Sequence, residues 1–168
     1  VRKGLITDKM TLTIEYDIEN ITNPEISKKY LGEITLDRYG RKVPKHAHGT
    51  VNIDHKTSST KIITDAVMRL YERIINRELL IRKITITAEN VIDEKEEKCL
   101  QSYEQLDLFI DYSEIEKQRN KEKLEKELQK AVLNMKSKYG KNAVLKGMNF
   151  IEGGTTIERN EQIGGHKS

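Results

Sequence analysis

Hydroxyl and basic side chains recur where the sequence predicts strands, and together they could hold phosphate groups. One predicted sheet face carries Thr11, Thr13, His48, Thr50, Asn52, Lys83, Thr85 and Thr87. Cationic side chains flank that face at Arg41, Lys42, Lys45, His46 and Arg82. Short hydroxyls let a phosphodiester backbone come close, and cations at the rim neutralise it. The pattern predicts salt-sensitive binding with weak sequence preference, although threonine is also simply a good residue for the solvent face of a strand.

The histidines and the single cysteine do not form a recognisable metal or catalytic set. His46 and His48 are two residues apart, so on a strand both side chains point the same way. A structural zinc needs four ligands, and no cysteine or further histidine completes such a set nearby. Acidic neighbours surround Cys99 and disfavour its thiolate. The sequence therefore predicts no catalytic residue, no metal and no cofactor in this chain.

A short apolar segment follows the acidic stretch 91–104, where no strand or helix pattern is evident. Its residues are Gln105, Leu106, Asp107, Leu108 and Phe109. Large apolar side chains in such a context are typical of a partner surface. The glutamine supplies donors and an acceptor, and a pentamer is short enough to bind in extended form. The pattern indicates a docking segment; the alternative is the start of a strand or helix that packs on the sheet.

Alternating apolar and polar residues predict three strands, over residues 9–16, 47–53 and 80–90. Between the second and third strands, apolar residues spaced by three or four predict a helix ending near residue 76, with N-cap candidates at 57–60. Residues 17–46 show weak periodicity and are predicted to be a long loop. A long charged helix is predicted from residue 113 to 139, with a narrow apolar stripe. The fold class is therefore α+β, a small antiparallel-type sheet with a packed helix.

The 168 residues carry a net charge of +3, which conceals two oppositely charged blocks. Residues 41–88 hold 10 basic and 4 acidic side chains, whereas residues 89–127 hold 7 and 13. Such blocks indicate separate surfaces with separate partners. No apolar run approaches the ~18 residues of a membrane span. The single cysteine fits a reducing cytoplasm, and the start at Val1 is interpreted as marking a piece of a longer protein.

Two resemblances to known proteins emerge from these segments. The pentamer looks like the bacterial sliding-clamp-binding motif, whose usual form Gln-Leu-x-Leu-Phe has all four preferred residues here. The preceding chain resembles the little-finger domain of Y-family (UmuC/DinB-type) translesion DNA polymerases, most closely the ImpB/MucB/SamB-type UV-damage-repair subgroup of Gram-positive bacteria. The segments that carry this second resemblance, including a tail similar to that of the subgroup, are residues 4–20, 39–52, 57–60, 80–87, 140–149 and 164–167.

The resemblance implies a DNA-holding domain of an error-prone polymerase that acts in DNA repair and the SOS response. Its implied partners are primer–template DNA, held by backbone contacts, and the sliding clamp, in the cytoplasm and away from membranes. The DNA-binding candidates carried over are Arg41, Lys42, Lys45, His48, Thr50, Arg82 and Lys83. The implied organisation is a little-finger-like domain over 1–92, an acidic linker with the clamp motif over 93–112, the charged helix over 113–139 and a Gly-rich, extended or disordered tail over 140–168.

The sequence also departs from that family. The fingers, palm and thumb have no counterpart, and the palm carries the carboxylates that hold two Mg²⁺ ions, so this chain is expected to be inactive alone. The family's little finger begins with a further strand and helix; three strands are therefore expected here, with one edge and part of one face open. The alternative is a non-catalytic clamp- or nucleic-acid-binding module. A weaker one is an RNA-binding domain, which normally carries stacking aromatics on its sheet.

Overall fold

The computed structural model describes residues 3–28, 30–101 and 112–162, and the chain divides into two compact units. The first unit is Gly4–Gln105, and the second comprises Val1–Lys3 and Leu106–Ser168. The first unit contains an antiparallel sheet with a helix packed on it. This arrangement confirms the α+β fold class.

The sheet of the first unit is built around one long central strand. Strand β1 (Leu5–Tyr16) is flanked on one side by β4 (Ala47–Thr57) and on the other by β5 (Ile81–Glu89). The two-residue β6 (Ile92–Asp93) pairs with the beginning of β1, so the sheet has four strands where three were expected. Helix α3 (Thr60–Ile74) packs against β4 and β1, and its first turn is capped by Ser59, which accepts a hydrogen bond from the Ile62 amide.

The core lies between α3 and the apolar side of β1. Leu12, Ile14 and Leu70 are almost completely buried there. Gly49 lies opposite Leu12 in the register of β1 and β4. A Cβ atom at Gly49 would lie 2.9 Å from Leu70 Cδ1 and 3.2 Å from Ile74 Cγ2. The absence of a side chain at this position therefore lets the helix pack close to the sheet.

The apolar side of β5 is much less covered than that of β1. Ile84 and Ile86 pair with Ile14 and Leu12, so they lie on the core side of the sheet. Their side chains are nevertheless exposed, Ile84 by 47% and Ile86 by 55%. The expectation that part of one face would be open agrees with this exposure.

The segment 17–46 is more ordered than the predicted loop. It contains two single-turn helices, α1 (Glu19–Thr22) and α2 (Pro24–Ser27), and a hairpin of β2 (Ile34–Leu36) and β3 (Lys42–Pro44). A buried asparagine ties the beginning of the segment to the sheet. The side-chain nitrogen Nδ2 of Asn20 donates to the backbone carbonyls of Asp17 and Leu80 at 2.8 and 2.9 Å. The side-chain oxygen Oδ1 accepts from the backbone amide of Leu80 at 2.8 Å.

Replacing Asn20 with leucine is expected to lower the free energy of unfolding of the first unit by about 2–3 kcal/mol, since the fully buried Asn20 side chain makes three hydrogen bonds that leucine cannot make. The exposed Asn52→Leu is the matched control, with an expected change within about 0.5 kcal/mol. Urea unfolding monitored on β1 resonances by NMR measures both. Equal stability of the two variants would contradict the anchoring role of Asn20.

Helices also occur in the three segments that follow the sheet. The acidic linker contains α4 (Glu94–Gln101), which directly follows β6. In the second unit, the charged helix is confirmed as α5 (Tyr112–Tyr139), and its apolar Leu124 is 71% exposed. The tail folds locally instead of being extended throughout: a 3₁₀ turn at Gly147–Phe150 precedes α6 (Thr156–Glu161). Asn142 contacts this last helix, accepting from Asn160 at 2.6 Å.

Candidate nucleic-acid interface

The side of the sheet opposite α3 carries the predicted polar side chains in register. Two rungs cross the three strands: Thr50–Thr11–Thr87 and His48–Thr13–Thr85. His48 Nδ1 lies 3.0 Å from the Thr13 hydroxyl oxygen, so the two side chains hold each other in place. His48 and Thr50 are exposed on the outer strand. The register thus places on this face the eight side chains that the sequence predicted for it.

The polar face also carries two carboxylates that the sequence analysis missed. Glu15 pairs in register with Lys83, and their charged atoms lie 3.5 Å apart. At the other end of the face, Glu89 forms a 2.8 Å ion pair with Lys9 and accepts from the Thr11 hydroxyl. The hydrogen bond from Lys9 is the main cause of a lowered pKa at Glu89. Both carboxylates continue the alternation of their strands, so the spacing alone could have placed them here.

The turn between β2 and β3 is organised by one carboxylate, Asp37. Its Oδ1 accepts from the backbone amides of Tyr39 and Arg41 at 2.8 and 3.0 Å. Its Oδ2 accepts from both Arg41 Nε and Arg41 Nη2, at 2.8 and 2.6 Å. The turn also needs Gly40, whose φ of +74° is favourable for glycine. The Arg41 guanidinium is therefore held in a fixed orientation.

Asp37 also brings two predicted DNA-binding residues together. Arg82 Nη1 at the start of β5 lies 3.9 Å from the same Oδ2 that holds Arg41. The hydrogen bond from the Arg41 side chain is the main cause that lowers the pKa of Asp37 from 3.8 to about 2. The carboxylate therefore stays ionised at neutral and mildly acidic pH. Residues distant in sequence, in the hairpin and in β5, form one charged cluster.

A cleft of about 450 Å³ separates the hairpin from the polar face. Basic side chains of both elements line it, together with hydroxyls and one exposed ring: Arg38, His46, Arg82, Lys83, Thr13, Thr35 and Tyr39. Arg38 and Tyr39 were not among the predicted site residues. The sequence shows that Arg38 is charged and lies in a turn-like stretch before Gly40. The weak periodicity of residues 17–46 does not predict that this turn lies beside β5.

The remaining cationic candidates differ in their surroundings. Lys42 is exposed on β3. Lys45 forms a 2.6 Å ion pair with Glu33, and that hydrogen bond is the main cause of its raised pKa. The charge of Lys45 is therefore partly compensated by Glu33. The imidazoles of His46 and His48 pack edge to face, with ring centroids 6.4 Å apart.

Other features give no further site within the described parts of the chain. Residues 105–109, the predicted clamp-binding segment, lie outside the described residues. Over residues 3–28, 30–101 and 112–162, no three His, Cys, Asp or Glu side chains are grouped to hold a metal ion. In the same ranges, no helix combines the length and apolar character needed to cross a membrane.

Comparison with known proteins gives no match: no family model, no curated protein and no solved structure is significantly similar to the chain. The fold and the site define the first unit as a small α+β domain with a polar, partly basic sheet face beside a charged cleft.

Proposed function

We propose that the chain is the DNA-holding and clamp-tethering region of an error-prone translesion polymerase acting in DNA damage repair. One observation carries the DNA-holding half of this proposal: Arg41 and Arg82 meet at the Asp37 carboxylate, next to Lys83. Arginine side chains that are oriented in advance lose less conformational freedom when they bind phosphate. The threonine rungs beside this cluster leave room for a sugar–phosphate backbone to lie on the sheet.

The ion pairs of the cluster do not prevent phosphate binding. Lys83 and Glu15 are both largely solvent-exposed, and exposed pairs of this kind contribute about 0–1 kcal/mol. Lys83 can therefore exchange its contact with Glu15 for a phosphate oxygen at little cost in free energy. Arg41 keeps its two hydrogen bonds to Asp37 Oδ2 and presents its Nη1 hydrogens, while the 3.9 Å separation leaves Arg82 only loosely held. The site therefore combines one fixed cation with two movable ones.

The proposed clamp tether compensates for the weak affinity of this surface for DNA. Contacts of a few cationic side chains with the DNA backbone give weak, salt-sensitive affinity. A tether to the sliding clamp through residues 105–109 raises the effective concentration of the domain at the primer terminus. Nucleotidyl transfer belongs to a palm domain that has no counterpart in this sequence. The non-catalytic interaction module remains the alternative, and it would share both binding activities.

The DNA-holding half is tested with Arg41→Ala/Lys42→Ala/Lys83→Ala and duplex DNA, by fluorescence anisotropy over a salt series. We expect affinity to fall about tenfold or more, and the slope of log K against log salt to fall by about 2–3, because each lost phosphate contact removes about 0.9. The charge-matched control is Arg119→Ala/Lys123→Ala/Lys130→Ala on α5, which changes the net charge equally. An unchanged slope in the first variant, or an equal loss in the control, would contradict the assignment of DNA binding to Arg41, Lys42 and Lys83.

A further inference from the structure

The tip of the β2–β3 hairpin presents an aromatic ring between two cations. Tyr39 is 70% exposed. The Arg41 guanidinium carbon lies 5.2 Å from the ring centroid, and that of Arg38 lies 5.5 Å away. A large exposed aromatic side chain has no role in the core of the first unit. Its neighbours are the fixed cation of the cluster and the cleft described above.

The two arginines differ in how firmly they are held. Asp37 fixes Arg41 by two side-chain hydrogen bonds and binds the backbone amide of Tyr39 as well, so one carboxylate positions both the Arg41 guanidinium and the Tyr39 backbone. Arg38 contacts the ring at an exposed site, where a cation–π contact is weak. A flat, uncharged π-system can therefore replace Arg38 on the ring, and the freed guanidinium remains within reach of the phosphate attached to that base.

We propose that Tyr39 stacks on an unpaired base of single-stranded DNA next to the duplex that the sheet holds, with Arg38 binding its phosphate. Every base has a π-face, so stacking on tyrosine tolerates any sequence. Base pairs inside a duplex are covered on both faces by their neighbours, so only the two end pairs of a blunt duplex offer a face, and neither is unpaired. This inference rests on the proposed DNA-holding function and adds the side chains that hold the unpaired base beside the duplex.

The experiment compares a blunt duplex with the same duplex carrying a single-stranded overhang of about ten nucleotides, within the site size of single-strand binders. The overhang carries 2-aminopurine beside the junction, whose fluorescence falls when it stacks on a ring. For the unaltered chain we expect tighter binding to the overhang DNA and quenching of the probe. Tyr39→Ala should weaken overhang binding about tenfold more than it weakens blunt-duplex binding, and it should abolish the quenching. Tyr39→Phe, which keeps the ring, should behave as the unaltered chain.

The outcomes separate this inference from the function on which it rests. If the chain binds neither DNA, the DNA-holding function fails. If it binds both equally, and Tyr39→Ala changes neither, the stacking site alone is overturned. Equal weakening on both DNAs by Tyr39→Ala also overturns it, because a duplex has no free base at the site. A matching RNA overhang forms the last arm, and tighter Tyr39-dependent binding to RNA than to DNA would overturn the assignment to DNA.

Discussion

The double substitution Leu108→Ala/Phe109→Ala is expected to reduce binding of the chain to a purified bacterial sliding clamp at least 100-fold. The resemblance of residues 105–109 to the clamp-binding motif predicts that these two side chains fill an apolar pocket, while Gln105 supplies the polar anchor. Side chains of this kind at the centre of an interface typically contribute 2 kcal/mol or more when truncated. Two such losses take micromolar binding beyond measurable range. Isothermal titration calorimetry with the unaltered chain gives the reference.

The control for this experiment removes equal apolar bulk elsewhere. Leu124→Ala/Leu128→Ala changes two exposed leucines of α5, and clamp binding should stay within about twofold of the reference, as is usual for residues outside a hot spot. A chain that binds the clamp equally well with and without Leu108 and Phe109 would contradict the tether. A chain that never binds the clamp would do the same, and the proposal would then depend on the sheet and its cleft alone.

The sequence predicted the elements whose apolar residues keep a strict period. Residues 9–16 alternate without interruption, and they form all but the first four residues of the central strand Leu5–Tyr16, with every side chain on the expected face. The four-and-three spacing in α3 placed Leu70 in the core for the same reason. A side-chain pattern survives in the fold wherever one face is buried against a neighbour, because a slip by one residue would expose it.

The parts that were not predicted lack such a period. The strands of the β2–β3 hairpin have three residues each, too few to show alternation. They are held instead by backbone pairing and by the Asp37 turn, which depends on one carboxylate at one position. The contribution of Tyr39 to the site was missed because its setting depends on Arg41 and Asp37 being brought beside β5. Local sequence supplies the residues of the cleft, but tertiary structure supplies their proximity.

The substitution Leu70→Ala truncates one of the core side chains of α3. It is expected to lower the free energy of unfolding of the first unit by about 3 kcal/mol. Leu70 is 1% exposed, and its Cδ1 atom occupies the space over Gly49. Large-to-small changes at such sites cost about 2–5 kcal/mol, since the cavity closes only partly. Met68→Ala on the same helix is the matched control: Met68 is 50% exposed, and its loss should change stability by less than about 1 kcal/mol.

The same geometry predicts that a second substitution partly reverses the first. Gly49→Val alone should destabilise the unit by about 1–2 kcal/mol, because the added methyls collide with Leu70 and Ile74. In the Leu70→Ala background those methyls enter the vacated space. The double variant should therefore lose at least about 1 kcal/mol less free energy of unfolding than the two single variants lose together. NMR-detected urea unfolding of β1 resonances measures all four species. Strict additivity would mean that Gly49 does not set the distance between helix and sheet, whereas the predicted coupling identifies close helix packing as the reason for a glycine near the beginning of β4.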